Sequence, residues 1–472
     1  MALEADSQAR NVSLLVSGGA VVTMNPERQV FLDGAVAVDG NAILAVGERR
    51  EIEGAFTADQ VVDAKGAAVI PGLVNTHTHG FQSLYRGLGD DLPVFEWLRR
   101  MIYPLSSHLR APDAFIGTQL ACLEMIKGGV TTFTDSFYVI QDPESVYQVA
   151  EAVAQTGMRG VIGRASSDQG DRPPEFNEPT TRAVEETERF IKAWHEGANG
   201  RVRVCAEALY TLFATPDLVA GLRELAGRYG TGFHLHAGEV AEEANQIRRE
   251  TGSTIMSYLD SIDGLGPDVL LFHAVWLTDG DIAILADRKT SVAHCPVSNE
   301  YLAAGVAPVP RMLERGVNVA LGSDGAASNN TQDLFEAMKA AVLLQKVFLL
   351  DPQALTSEVA LEMATRNGAA ALRLGAETGS LEVGKKADLA VVNLATPHST
   401  PALKPVSSIV YCCRSADVTT VVVDGQVVMQ DRQVLTMDEE EVIAKARETA
   451  VRLVGQADAA GLLDTGRFAY VR

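Results

Sequence analysis

Eight apolar runs, most of them roughly 30 to 40 residues apart, close on ionisable side chains, and no other feature of the chain narrows its fold as far. They are AVIPGLVNTHTH (68–79), VTTFTD (130–135), RGVIGR (159–164), VRVCAE (202–207), GFHLH (232–236), VLLFH (269–273), SVAH (291–294) and NVALGSD (318–324). Strands covered on both faces read as near-continuous apolar runs, and a helical stretch follows most of these. Eight strand-plus-helix units predict an α/β chain built around a (β/α)8 TIM barrel. Such barrels carry their chemistry at the C-terminal ends of the strands.

Outside this repeat the texture changes. Residues 11–69 and 387–435 hold short β-type runs broken by Gly and Asp, with DG turns in both halves. The two ends are therefore expected to build one small β-sandwich. The division implied is 1–69 and 381–435 for the two parts of the sandwich, 70–380 for the barrel, and 436–472 for a C-terminal helix and tail. The apolar periodicity of Glu439–Ala459 supplies that helix.

The residues closing the runs carry the chemistry. His77 and His79 form a His-x-His pair at a strand end, where i and i+2 turn to one face. His236 and Asp324, at later strand ends, add a third nitrogen and a carboxylate, a donor set suited to Zn²⁺ or Fe²⁺. Glu239, three residues past His236 in HLHAGE, is placed to shuttle a proton to substrate. His273 can orient a water or stabilise a developing oxyanion, and Asp324 can accept a proton as well as bind metal. With His234 and His294, six of the nine histidines fall at or near one predicted rim.

PGLVNTHTH, HLHAGE, LFHAVWL, AHCPVSN and LGSDGAASNN together resemble the mononuclear deaminase branch of the amidohydrolase superfamily, over nearly the whole chain. The resemblance implies His77, His79, His236 and Asp324 as ligands of one divalent ion, Glu239 as proton shuttle and His273 as catalytic histidine. Binuclear relatives use a carboxylated lysine on a middle strand, and no run here ends in lysine. LYRGLGDDLPVFEWLRRMIYP is similar to methylthioadenosine/S-adenosylhomocysteine deaminases, and SNEYLAAGVAPVPRMLERG to s-triazine hydrolases such as atrazine chlorohydrolase. In the former, the resemblance gives Glu96 to ribose hydroxyls.

One departure stands out: where adenosine-type members carry PHAPYT, this chain has AEALYT, with Glu207 at the histidine position. A carboxylate there either faces the heterocycle, favouring a ring N–H, an amino group or a cation, or pairs with Arg164 or another cation at the rim and never meets substrate. Arg164, His294 and Asn299 complete the candidate substrate-side groups. The expected reaction is hydrolytic deamination of an amino-substituted nitrogen heterocycle, with Glu239 protonating the ring nitrogen and ammonia leaving. The same machinery could instead dechlorinate or deaminate an s-triazine, and a non-catalytic scaffold would be betrayed by lost ligands, none of which is missing.

A formal net charge of -21 speaks against nucleic acid or an acidic membrane as partner, because phosphate contacts need clustered Lys and Arg. Cys122, Cys205, Cys295, Cys412 and Cys413 form no C-x-x-C pair, which suits a reducing cytoplasm. The first twenty residues carry Glu4, Asp6 and Arg10 and show neither a signal peptide nor a membrane span. The expected partners are a small heterocyclic substrate and, given the broad outer surface of a barrel, further copies of the chain.

Overall fold

The computed structural model describes residues 9–463. Glu4 and Asp6, and the tail from 464 onward, lie outside the described residues. Within them the strands sort into two sheets.

The first sheet joins both ends of the chain. Strands β1 (Arg10–Val22), β2 (Val30–Asp39), β3 (Ala42–Glu48), β4 (Phe56–Asp63) and β5 (Ala67–Pro71) come from the N-terminal segment. The barrel strands β6–β13 follow in sequence. The C-terminal segment then returns β14 (Leu389–Asn393), β15 (Val418–Val423), β16 (Gln426–Gln430) and β17 (Gln433–Val434) to the first sheet. The seam is antiparallel, with Leu389 opposite Pro71 and Val391 opposite Val69. Val16 and Val38 share a core with Val391 and Val422, so neither end can bury its apolar face without the other.

The second sheet runs β6 (Leu73–Thr78), β7 (Val130–Phe137), β8 (Arg159–Ser166), β9 (Val202–Tyr210), β10 (Phe233–Ala237), β11 (Val269–His273), β12 (Ser291–His294) and β13 (Val319–Leu321), all parallel and in chain order. The Asp324 N–H donates to the His77 carbonyl at 2.9 Å and Thr76 Oγ1 to the Leu321 carbonyl at 2.8 Å, bringing the last strand back to the first. Leu372 and Leu374 pack with Val74, Val161, Leu270 and Phe272 inside the ring. The barrel is therefore a filled core rather than a pore.

The run 68–79 proves to be two strands. Gly72 separates β5, in the end-sheet, from β6, in the barrel; a Cβ at Gly72 would collide with the Thr131 side chain. The chain can change sheets there because that residue has no side chain. A buried ion triad ties the two bodies together: Arg159 on β8 reaches Asp388 at 3.0 and 3.2 Å and Asp424 at 3.3 Å. The C-terminal helix spans Glu439–Gln456, with Asp438 accepting the Glu441 N–H at 3.0 Å as its cap. Among the described residues no helix is long and apolar enough to cross a membrane.

Candidate active site

Six ionisable side chains meet at the C-terminal mouth of the barrel. Hydrogen bonds fix the tautomers of two of them. His79 Nδ1 donates to the Ser136 carbonyl and His236 Nδ1 to the Leu209 carbonyl, both at 2.6 Å. Each ring thereby presents Nε2, with a free lone pair, to the cavity. His77 is stacked on Phe272 at 3.9 Å between centroids, and neither of its ring nitrogens has a hydrogen-bond partner. A fully buried imidazole in that condition needs another electrophile. Ligand atoms of His77, His79 and His236 lie within 4.8 Å of one another. Asp324 Oδ1 stands 3.3 Å from His77 Nε2 and 3.4 Å from His79 Nε2.

Backbone strain helps to aim these groups. Asp324 has φ +65° and His273 φ +73°, a region that side chains other than glycine enter at a cost. Ser298 Oγ donates to Asp324 Oδ2 at 2.6 Å, and the Gly325 N–H to Oδ1 at 2.6 Å, so the carboxylate is held from two sides. Burial pushes its pKa up, but the neighbouring His77, His273 and His79 outweigh burial and hold it well below the carboxylate range. Burial pushes His77 down to about 3 and His236 well below the ordinary range. Neutral imidazoles beside an ionised carboxylate are the protonation states a divalent ion requires.

Glu239 and His273 form the second half of the site. Glu239 Oε1 lies 3.9 Å from His273 Nε2, and His273 Nδ1 donates to Asn299 Oδ1 at 3.1 Å. Burial raises Glu239 against the opposing pull of His273. For His273 burial lowers the pKa, and Glu239 and Asp324 reverse the balance and raise it. The loop carrying Glu239 is fixed by Glu243, which sequence reasoning missed. Its Oε2 accepts the Glu239 N–H at 2.9 Å and the Tyr210 hydroxyl at 2.8 Å.

His79, His236, Glu239, His273 and Asp324 form the polar end of a cavity that His77 does not line. Its other walls include Phe95, Trp97, Leu98, Leu302 and Phe213. None of the five substrate-side residues expected from sequence lines it, and each has a physical reason, Asn299 being the acceptor for His273 Nδ1. Glu96 is half exposed and lies 3.5 Å from Arg99. Arg164 is buried in a two-pronged pair with Glu178, at 2.5 and 2.9 Å, which also excludes the alternative pairing with Glu207. Glu207 is fully buried in the barrel, accepting from Ser136 Oγ, and burial pushes its carboxyl well above the usual range. His294 is fully buried with both ring nitrogens unpartnered, and burial pushes it down to about 3. Missed instead were Gln82, whose amide donates to the Tyr138 hydroxyl at 2.9 Å, and Arg172, on the loop after β8. Gln82 sits in a single short 3-10 turn, Gly80–Tyr85, and Arg172 in a loop, where no period marks the inward face.

A barrel with this mouth defines a metal-dependent hydrolase, and residues 68–428 match the model of the Amidohydrolase family: the chain belongs to that family. It is 42% identical over 447 residues to the 5'-deoxyadenosine deaminase of Methanosarcina acetivorans, covering 94% of this chain and 99% of that one. It is 41% identical over 446 residues to the 5-methylthioadenosine/S-adenosylhomocysteine deaminase of Pelotomaculum thermopropionicum, with the same coverage. A crystal structure of an adenosine deaminase from Xanthomonas campestris with bound zinc superposes with a TM-score of 0.87 at 30% identity, over 95% of this chain and 100% of that one. The chain is a hydrolytic deaminase acting on a C–N bond of an amino-substituted nitrogen heterocycle.

Proposed function

We propose that the chain deaminates adenosine derivatives altered at the 5' position, using one divalent ion, zinc before iron, held by His77, His79, His236 and Asp324. The observation that carries this reading is the pairing of Glu239 with His273 at 3.9 Å beside those four donors, in a chain 42% identical to a 5'-deoxyadenosine deaminase. The donor set suits the ion: three neutral nitrogens, two with pinned tautomers, and one ionised carboxylate. When bound, the ion supplies Lewis acidity and lowers the pKa of a water brought to it.

The protein's own residues do the rest. Asp324, kept ionised and oriented by Ser298, accepts a proton from the attacking water. Glu239, its pKa raised by burial, is a proton donor matched to a weakly basic ring nitrogen. Protonating that nitrogen makes the amidine carbon electrophilic. The proton taken up by Asp324 then passes to the amino group, which leaves as ammonia, while the hydroxyl proton of the tetrahedral adduct returns to Glu239 as the lactam carbonyl forms. His273, steadied by Asn299, stabilises negative charge on the incoming oxygen. The apolar walls exclude bulk water and offer ring faces to the heterocycle. The free cysteines fit a cytoplasmic setting.

Ammonia release by zinc-loaded protein tests the reading, with 5'-deoxyadenosine, methylthioadenosine, S-adenosylhomocysteine, guanine and aminotriazines offered in parallel. Turnover of the adenosine set above the others is the expected result. Preference for an aminotriazine, or silence with every adenosine, would overturn it.

A further inference from the structure

Behind the metal donors one side-chain amide joins the first barrel strand to the end of the last. Gln332, in the loop between β13 and the helix Leu334–Leu349, is fully buried and does not line the catalytic cavity. Its Oε1 accepts from Ser323 Oγ at 2.7 Å and from Thr78 Oγ1 at 2.9 Å, with Asn75 Nδ2 further off at 3.4 Å. Its Nε2 donates to the Asp324 carbonyl at 3.1 Å. Thr78 stands between His77 and His79, and Ser323 immediately precedes Asp324. Asn75 closes the cluster, donating from Nδ2 to Ser323 Oγ at 2.7 Å and accepting the Ser323 N–H at 3.0 Å.

The grip falls on a strained residue. Asp324 holds φ +65°, which a residue with a side chain keeps only where its surroundings over-determine it. Its N–H donates to the His77 carbonyl at 2.9 Å and its carbonyl receives Gln332 Nε2, so the peptide groups on both sides of its Cα are tied. Gln332 is itself placed. Its N–H donates to Glu124 Oε1 at 3.0 Å, and the next residue, Asp333, caps the following helix by accepting the Phe335 N–H at 2.8 Å. An amide offers an acceptor to the two hydroxyls and a donor to the carbonyl at once; an alkyl or thioether chain of the same length offers the carbonyl no donor.

We propose that Gln332 is a positioning residue for the metal site: it presets the spacing between the β6 histidines and Asp324 and so raises the affinity of the site for its divalent ion. It touches neither substrate nor metal, and acts through Thr78, Ser323 and the Asp324 backbone. This deepens the metal-site reading above and rests on its ligand set.

The test is the zinc dissociation constant, measured by chelator competition on wild type, Gln332→Met, Thr78→Val, their double variant and a control, Gln345→Met. Gln345 is a comparably buried amide whose Nε2 donates to the Ala307 carbonyl at 2.8 Å, and neither of those residues lines the cavity. Gln332→Met should weaken zinc roughly 10- to 100-fold, the usual cost of losing a partner that orients a metal ligand. Thr78→Val keeps the shape and cuts one accepted bond, so it should weaken zinc by about 3- to 10-fold, and the double variant should be no weaker than Gln332→Met alone. Gln345→Met should lower the melting temperature of the zinc-loaded protein as Gln332→Met does, yet leave the zinc constant within about twofold of wild type. A constant for Gln332→Met within about twofold of wild type would overturn the inference, as would the same result for Thr78→Val should Gln332→Met not fold. An equal loss in Gln345→Met would also overturn it, leaving Gln332 a packing residue. Wild type holding less than about half an equivalent of zinc would instead overturn the ligand set, and the inference with it.

Discussion

His236 and His234 stand two residues apart on β10, and their surroundings differ in every respect that matters to chemistry. His236 has its Nδ1 pinned to a carbonyl and its other nitrogen turned to a cavity, beside His77, His79 and Asp324. His234 lies in a layer that does not line that cavity, where Cys205 Sγ is 3.2 Å from its Nδ1, near Glu207. By proximity alone the two layers look alike, since ligand atoms of Cys205, Glu207 and His234 also fall within 4.8 Å. The upper layer has fixed tautomers, an ionised carboxylate and access from the mouth. In the lower layer a neutral imidazole meets a thiol and a carboxyl that burial pushes well above their usual ranges. Crowding of donor atoms is therefore a poor marker of a metal site; what separates the layers is which protons the fold has already removed.

The largest expected effect breaks the comparison at its strongest point. His236→Ala or Asp324→Ala should leave a folded protein with little bound metal and at least about 10⁴-fold lower kcat/KM, because three remaining ligands bind far more weakly. His234→Ala and Cys205→Ser should keep a full equivalent of metal by elemental analysis. Loss of metal from the lower-layer variants instead would show that the two layers had been told apart wrongly.

Glu239→Gln comes next. The amide keeps the shape but cannot deliver a proton, so activity should fall roughly 10²- to 10⁴-fold while metal content and melting temperature stay near wild type. Turnover within a few-fold of wild type would remove Glu239 from the mechanism.

How much of this the sequence revealed follows from what periodicity encodes. A strand's alternation tells which face a residue takes, so five of the six groups of the mouth could be read from run endings such as NTHTH and FHLH, with Glu239 three residues beyond one of them. Alternation says nothing about depth. Glu207 shares the inward face of β9 with Leu209, which lines the cavity, yet sits one layer below it. The same blindness applies to His234. Arg172, Gln82 and Glu243 lie beyond strand ends, where only three-dimensional packing decides what points inward. The break at Gly72 was hidden because apolar residues continue on both sides of it.

A third variant probes how tightly the lower layer is built. A Cβ at Gly163 would collide with Glu207 Oε2 and press on its Cβ at 3.2 Å. Gly163→Ala should therefore destabilise the fold by about 1–3 kcal/mol, the usual cost of overpacking a core. Combined with Glu207→Ala, which removes the obstacle, the two costs should be clearly non-additive in denaturant unfolding. Strict additivity would mean that the two side chains do not meet.

The smallest expected effect belongs to Glu207→Gln. Burial raises the Glu207 carboxyl well above its ordinary value, with Asp135 adding to the rise against the opposing hydrogen bond from Ser136. That rise favours the protonated acid, to which Gln is close in shape and charge. Activity should stay within about threefold, since Glu207 does not line the cavity. The difference emerges with pH. An acid that keeps its proton when folded and releases it near about 4.3 when unfolded binds more protons in the native state above that point. Its contribution to stability is whole below about pH 4.3 and drains away as pH rises toward the folded value. Wild type should accordingly lose ground to Glu207→Gln as pH rises above about 4.3, by at most about 1.4 kcal/mol per pH unit. Denaturant midpoints measured across that range provide the check. Parallel curves would mean that Glu207 is ionised in the fold. A tenfold loss of kcat/KM with full metal would return it to contact with substrate, and the lower layer would then belong to the active site.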